Sequence, residues 1–201
     1  MNEILSFLRN MLQLVFAPAR GWEDLEESER GLSASAQERA AQRLYYRCFL
    51  PVSAICALSC FVRLLYGDAG GWLVCLQLSI VTFVSLFLSA QVARWAMAMT
   101  MPRLVSDDPR EPSDAEWPKS RGLEMICYSL TFMALVFLLA NVVKVKITLI
   151  EFLPFYVIFI IWKGWRYVGV KERNVGLFMI METAAIVGSV YLWSFFLNVV
   201  I

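Results

Sequence analysis

The chain has 201 residues, of which 59% are hydrophobic and 17% charged, with a net charge of +1 and a mean hydropathy of +0.61. Soluble domains run at roughly 45–50% apolar, so this composition excludes one water-soluble core and points to an all-α, polytopic membrane protein. The near-zero net charge gives no global attraction to nucleic acid, and the lack of His removes the commonest zinc and haem ligand and the usual general base near neutral pH.

Residues 4–16, ILSFLRNMLQLVF, are apolar but broken by Arg9, Asn10 and Gln13. The run is too short to span a bilayer easily. Two readings are open: an amphipathic helix lying in the interface, or a signal peptide with Ala17-Pro18-Ala19 as its cleavage site. The stretch before it carries Glu3 and no Lys or Arg, which favours the interfacial helix. Pro18 and Gly21 then force a turn and free Trp22 for the interface. Glu23, Asp24, Glu26, Glu27 and Glu29 follow and read as a solvated face. Ser35 and Glu38 have capping-box spacing, opening a helix that runs through Gln42 and Arg43 toward the membrane.

Five spans follow. The first, at about 49–66, has Pro51 near its entry, where a proline kinks a helix or marks its start. Ser53, Ala57 and Cys60 give it a small-residue face for close packing. The second, at about 72–95, is bounded by Trp72 and Trp95 and has no charge between Gly71 and Arg94. As a helix it is roughly 33 Å long, close to one bilayer core. Along it Cys75, Ser79, Thr82, Ser89 and Ala93 recur at helical spacing. This small, hydroxyl-bearing stripe reads as a packing face directed into the bundle, with a polar translocation path as the other reading. Residues 94–122 form the main polar loop, with Pro102, Pro109, Pro112 and Pro118. The third span, about 123–143, carries Cys127, Thr131, Ala134 and Asn141 near one face. The fourth, about 147–162, is short, contains Glu151 and Pro154, and runs into Trp162-Lys163-Gly164-Trp165-Arg166-Tyr167, an interfacial anchor by composition. The fifth, about 175–200, has Ala184 and Gly188 at small-xxx-small spacing. The five cysteines, at 48, 56, 60, 75 and 127, lie in or beside apolar segments and read as packed small hydrophobes. The chain thus divides into an N-terminal region, 1–47, and a five-helix membrane domain, 48–201.

The basic residues orient it. Arg9, Arg20, Arg30, Arg39, Arg43 and Arg47 precede the first span; Arg94, Arg103, Arg110, Lys119 and Arg121 lie between the second and third; Lys163, Arg166, Lys171 and Arg173 lie between the fourth and fifth. Only Arg63, Lys144 and Lys146 fall on the opposite side. The positive-inside rule then puts the N-terminus in the cytoplasm, and an odd number of spans puts residue 201 outside. The pattern also argues that the short fourth segment crosses.

Glu182 is the one carboxylate well inside an expected span. An intramembrane carboxylate is a functional hypothesis, because burying its charge is costly. Glu182 could relay protons or bind a cation with Lys163 or Tyr156 as partner; the structural alternative is a helix-locking Glu. With Asn141 and Thr82 it forms the candidate intramembrane polar site. No catalytic pairing emerges, since the expected spans hold no Asp and no His, and no metal or cofactor set is expected.

Pro18-Ala19-Arg20-Gly21-Trp22-Glu23, Leu50-Pro51 at the first span, and Phe155-Tyr156-Val157-Ile158 leading to Trp162-Lys163-Gly164 resemble, in order and spacing, the Yip family of five-span membrane proteins, most of all its short bacterial members. The resemblance implies an integral protein of a bacterial inner membrane with no catalytic residues. Eukaryotic relatives bind prenylated Rab GTPases, but their aspartate–leucine–tyrosine–glycine–proline motif is absent here. Pro18, Trp22 and Glu23 become the candidate interaction motif. The expected architecture is a bundle of five transmembrane helices preceded by an interfacial amphipathic helix. The expected function is a non-enzymatic membrane scaffold or interaction protein with a cytoplasmic protein partner and self-association. The alternative is a small transporter or channel using Glu182 and the stripe of the second span.

Overall fold

A chain this apolar satisfies its backbone groups within lipid most simply as helices. A computed structural model describes residues 2–67, 70–105, 119–143 and 152–200. The described residues form seven helices: α1 (Asn2–Phe16), α2 (Pro18–Glu29), α3 (Ala34–Leu65), α4 (Trp72–Leu104), α5 (Lys119–Val142), α6 (Leu153–Gly164) and α7 (Glu172–Val200). Helices α3, α4, α5 and α7 are each long and apolar enough to cross a membrane. The chain is a multi-pass helical membrane protein.

Several helix ends differ from expectation. Helix α3 opens at Ala34 with Ser33 as its N-cap residue, ahead of the expected Ser35–Glu38 box, and runs unbroken past the boundary drawn at residues 47 and 48. Pro51 is absorbed by a π-helical turn at Tyr45–Phe49, where the Leu50 N–H reaches back to the Tyr45 carbonyl. Proline lacks the N–H for the ordinary bond and its ring crowds the carbonyl four residues back; the widened turn accommodates both. Helix α4 extends to Leu104 with Pro102 inside it, so the polar loop does not begin at residue 94. Met97, Met101 and Leu104 recur on one face and are buried, and this packing carries the helix past its basic residues. Residues 106–118, with Pro109, Pro112 and Pro118, lie outside the described residues.

The fourth expected span is described only in part. Helix α6, opened by a tight turn at Leu153–Phe155 around Pro154, is roughly 18 Å long by helical rise. A bilayer core is about 30 Å thick. Residues 144–151, where that span was expected to begin and where Glu151 falls, lie outside the described residues. Among the described residues, four helices reach spanning length.

Side-chain contacts give the arrangement. Helices α4 and α7 pack antiparallel: the Ser194 hydroxyl meets Ser85 at 3.2 Å, and Asn174 Nδ2 donates to the Leu104 carbonyl at 2.9 Å. Helices α3 and α5 run parallel, with Asn141 Nδ2 donating to Ser59 Oγ at 3.1 Å and the Tyr66 hydroxyl to the Val142 carbonyl at 3.1 Å. Helix α6 returns antiparallel beside α5, since Tyr156 meets Phe132 and Gly164 lies against Met125.

Helices α1 and α2 form a hairpin against this bundle. Phe7, Met11 and Leu14, at i, i+4 and i+7, are buried, and Phe7 stacks on Tyr128 at 5.1 Å. Leu5, Leu12 and Phe16 are exposed on the other side. The Tyr156 hydroxyl donates to the Val15 carbonyl at 2.6 Å, so the hairpin tip reaches a level roughly 12 Å along α6 from Gly164. Gly21 permits the close turn: a Cβ there would lie 2.8 Å from Leu14 Cδ2 and 3.1 Å from Leu14 Cα. Gly21→Ala is expected to splay the hairpin and destabilise it by about 1–3 kcal/mol, read as a lower thermal midpoint in detergent. An unchanged midpoint would mean that α1 and α2 separate without strain.

Candidate functional site

The inward stripe of α2 is Pro18, Gly21, Trp22, Leu25 and Glu29, spaced as a helix spaces one face. Trp22 is 2% exposed. Its indole N–H donates to the Ile160 carbonyl at 3.0 Å. Its ring stacks on Tyr167 at 5.0 Å and 29°, and meets Tyr128 edge-on at 6.1 Å and 84°. Gly164 makes the room, because a Cβ there would sit 3.0 Å from both Trp22 Cε2 and Met125 Cε. Trp22 was expected free at the interface; it is instead an internal anchor. A flat apolar ring with one N–H fits a glycine-floored groove that offers a carbonyl. Pro18 is buried with it, and Glu23 is exposed.

Glu29 departs from expectation in the same way. Read as part of a solvated acidic face, it is 6% exposed. Its Oε2 accepts from Arg121 Nε at 3.1 Å. Arg121 Nη1 reaches the Tyr167 carbonyl at 3.0 Å and Glu26 Oε1 at 3.5 Å, and the guanidinium lies 5.1 Å over the Tyr167 ring. The Tyr167 hydroxyl donates to Glu124 Oε2 at 2.6 Å. Burial first, and then the carboxylates of Glu124 and Glu29, push the Tyr167 phenol above its ordinary pKa, so it stays a proton donor. These contacts join α2, the start of α5 and the turn after α6. Trp22 Nε1, Arg121 Nε and Nη1 and the Tyr167 hydroxyl are all engaged, and the arrangement acts as a clamp.

Sequence reasoning missed Arg121, Glu29, Glu124 and Tyr167 as members of one group. One local signal was present: Glu29 stands seven residues after Trp22, on the face of α2 that Leu25 also occupies. The pairing with Arg121 joins residues 92 positions apart and has no local signature.

Helix α7 buries Glu182 completely, and neither carboxyl oxygen has a hydrogen-bond partner among the described residues. A π-helical turn, Ala184–Gly188, follows it directly, a feature often found at functional positions. The two expected partners are engaged elsewhere: Lys163 Nζ lies 4.2 Å over the Trp162 ring, and Tyr156 bonds Val15. Asn141 and Thr82 do come close to one another. Asn141 Nδ2 contacts Ser59 Oγ and Cys60 Sγ at 3.1 and 3.4 Å, and Thr82 also faces Cys60. Thr82 donates to the Leu78 carbonyl of its own helix. Glu182 is not with them. The two α4–α7 bonds place it level with about residue 97 of α4, roughly 20 Å along that helix from Thr82.

Of the expected stripe along α4, Cys75, Ser79, Ser89 and Ala93 are buried and Thr82 is half-buried; Ser85, not read as part of it, is buried as well. All five cysteines are buried. Among the described residues no cluster of three or more His, Cys, Asp or Glu is placed to hold a metal ion. No family model, no curated protein and no solved structure matches the chain.

Glu182→Gln is expected to keep the fold and to leave the thermal midpoint unchanged or raised, because the substitution preserves shape and removes an unpaired ionisable group from a buried site. A midpoint several degrees lower would reveal a bonded partner that the carboxyl needs.

Proposed function

We propose that this chain is a non-catalytic scaffold or interaction protein of the Yip type, with five spans, residues 1–47 on the cytoplasmic side of a bacterial inner membrane and residue 201 outside. The observation that carries the reading is the clamp on α2. Trp22, Glu29 and Arg121 fix one face of that helix to the bundle, leaving Glu23, Asp24 and Glu27 exposed along the other. A rigid acidic ridge on a membrane-held platform is a surface for a partner protein. The motif residues Pro18 and Trp22 then act by holding the ridge, and Glu23 by meeting the partner. The orientation rests on the basic residues, and a fourth crossing is supported by the return of α6 beside α5. The Yip assignment rests on the order of the sequence motifs.

A photo-reactive residue at Glu27, in the full-length protein in membranes, tests this. Capture of one discrete partner from Glu27, and none from lipid-facing Leu192, is the expected result. No capture from either Glu23 or Glu27 in folded protein would overturn it. The unpartnered Glu182 favours a second reading, a small transporter or channel. Cation or proton flux in liposomes that is lost in Glu182→Gln would establish it in place of the first.

A further inference from the structure

Between α2 and the end of α6 lies an open cavity of about 480 Å³. One wall is acidic, with Glu23 and Glu26; the other is basic, with Lys163 and Arg166. The opposed charges do not close on each other. Among the described residues Glu23, Lys163 and Arg166 make no ion pair, and Glu26 has only the 3.5 Å contact to Arg121. The groove lies beside the Trp162–Trp165 segment, a composition that favours the headgroup level. Trp162, in the cavity wall, and Phe155, about two turns earlier on α6, expose 45% and 57% of their surface, a path for acyl chains.

We propose that this groove binds the headgroup of a zwitterionic phospholipid that carries a primary ammonium. The phosphate lies against Lys163 and Arg166, and the ammonium between Glu23 and Glu26. The acidic wall disfavours a plain anion such as free phosphate or an anionic lipid. A quaternary ammonium would want open aromatic faces, but those of Trp162 and Trp165 are already covered by Lys163 at 4.2 Å and Arg166 at 5.0 Å. What is left for the cation is carboxylate oxygen, which suits N–H donors.

The test is native mass spectrometry of the full-length protein with phosphatidylethanolamine, phosphatidylglycerol and phosphatidylcholine added at equal concentration. Wild type is expected to retain phosphatidylethanolamine about fivefold over either competitor, the scale of one partly screened charge pair. Glu23→Gln/Glu26→Gln is expected to abolish that preference without lowering phosphatidylglycerol retention. Lys163→Gln/Arg166→Gln is expected to weaken all three. Because Glu26 touches Arg121, two further variants guard against a loosened α2. Glu23→Gln alone should reduce the preference, and Ala19→Trp, which fills the groove and keeps its charges, should block retention. The proposal is overturned by equal retention of the three lipids in wild type, by a preference that survives both Glu23→Gln and the double variant, or by water-soluble glycerophosphoethanolamine displacing the lipid at equal concentration.

Discussion

Arg121→Ala is expected to destabilise the protein by about 3–5 kcal/mol, because it leaves the buried Glu29 carboxylate without its counter-charge. The side chain is 19% exposed and its partner 7%, so solvent can replace little of what is lost. Arg121 also holds the Tyr167 carbonyl and covers the Tyr167 ring, so one truncation loosens α2, the start of α5 and the turn after α6 together. Arg121→Lys is expected to recover only part of the loss, since an ammonium lacks the planar fork that reaches several acceptors at once. Removing the charge on both sides separates pairing from packing: Arg121→Met with Glu29→Met is expected to be markedly more stable than Arg121→Ala. Denaturant unfolding in detergent, analysed as a double-mutant cycle, reads the coupling. A single-variant loss below about 1 kcal/mol, the range of exposed pairs, would show that the clamp is superficial.

The membrane character and the four long helices were legible because each contains a charge-free apolar window, and lipid imposes that requirement on any spanning helix. Helix ends were harder to read. At 97–104 the helix continues because Met97, Met101 and Leu104 are covered by neighbouring segments, and the coverage is tertiary. The same holds for α2. Its acidic residues look alike in sequence, but helical phase turns Glu29 inward and Glu23 outward, and the residue that makes Glu29 tolerable lies on α5. Trp22 was expected in a different environment from the one it occupies. A tryptophan after a proline–glycine turn suits an interface as well as an internal groove, and the choice was made by Gly164, 142 residues further on. Glu182 shows the opposite case: its burial follows from its place in an apolar run, whereas its isolation from Lys163 and Tyr156 depends on where α6 stops and which way those side chains turn.

The second large effect concerns the hairpin as a unit. Trp22→Ala is expected to weaken its docking by about 3–5 kcal/mol, the usual cost of truncating a buried tryptophan. Trp22→Phe keeps most of the ring contact but loses the bond to the Ile160 carbonyl, a loss of about 1 kcal/mol. Gly164→Leu attacks the same contact from the other side, since even a Cβ at Gly164 would stand 3.0 Å from the indole. The hydrogen bonds that join α3 to α5 and α4 to α7 lie away from this groove, so the hairpin is expected to lift while α3, α4, α5 and α7 stay packed. Cys48 reports that motion. It is 3% exposed and lies with Phe7, Asn10 and Tyr128 under α1. A 3 kcal/mol weakening raises the lifted population roughly hundredfold, so maleimide labelling of Cys48, located by mass spectrometry, should accelerate by about that factor in Trp22→Ala and by about fivefold in Trp22→Phe. Cys127, 0% exposed within the bundle, should label no faster than in wild type. If Cys48 and Cys127 accelerate together, Trp22 supports the whole bundle; if neither does, α1 is held in place without α2.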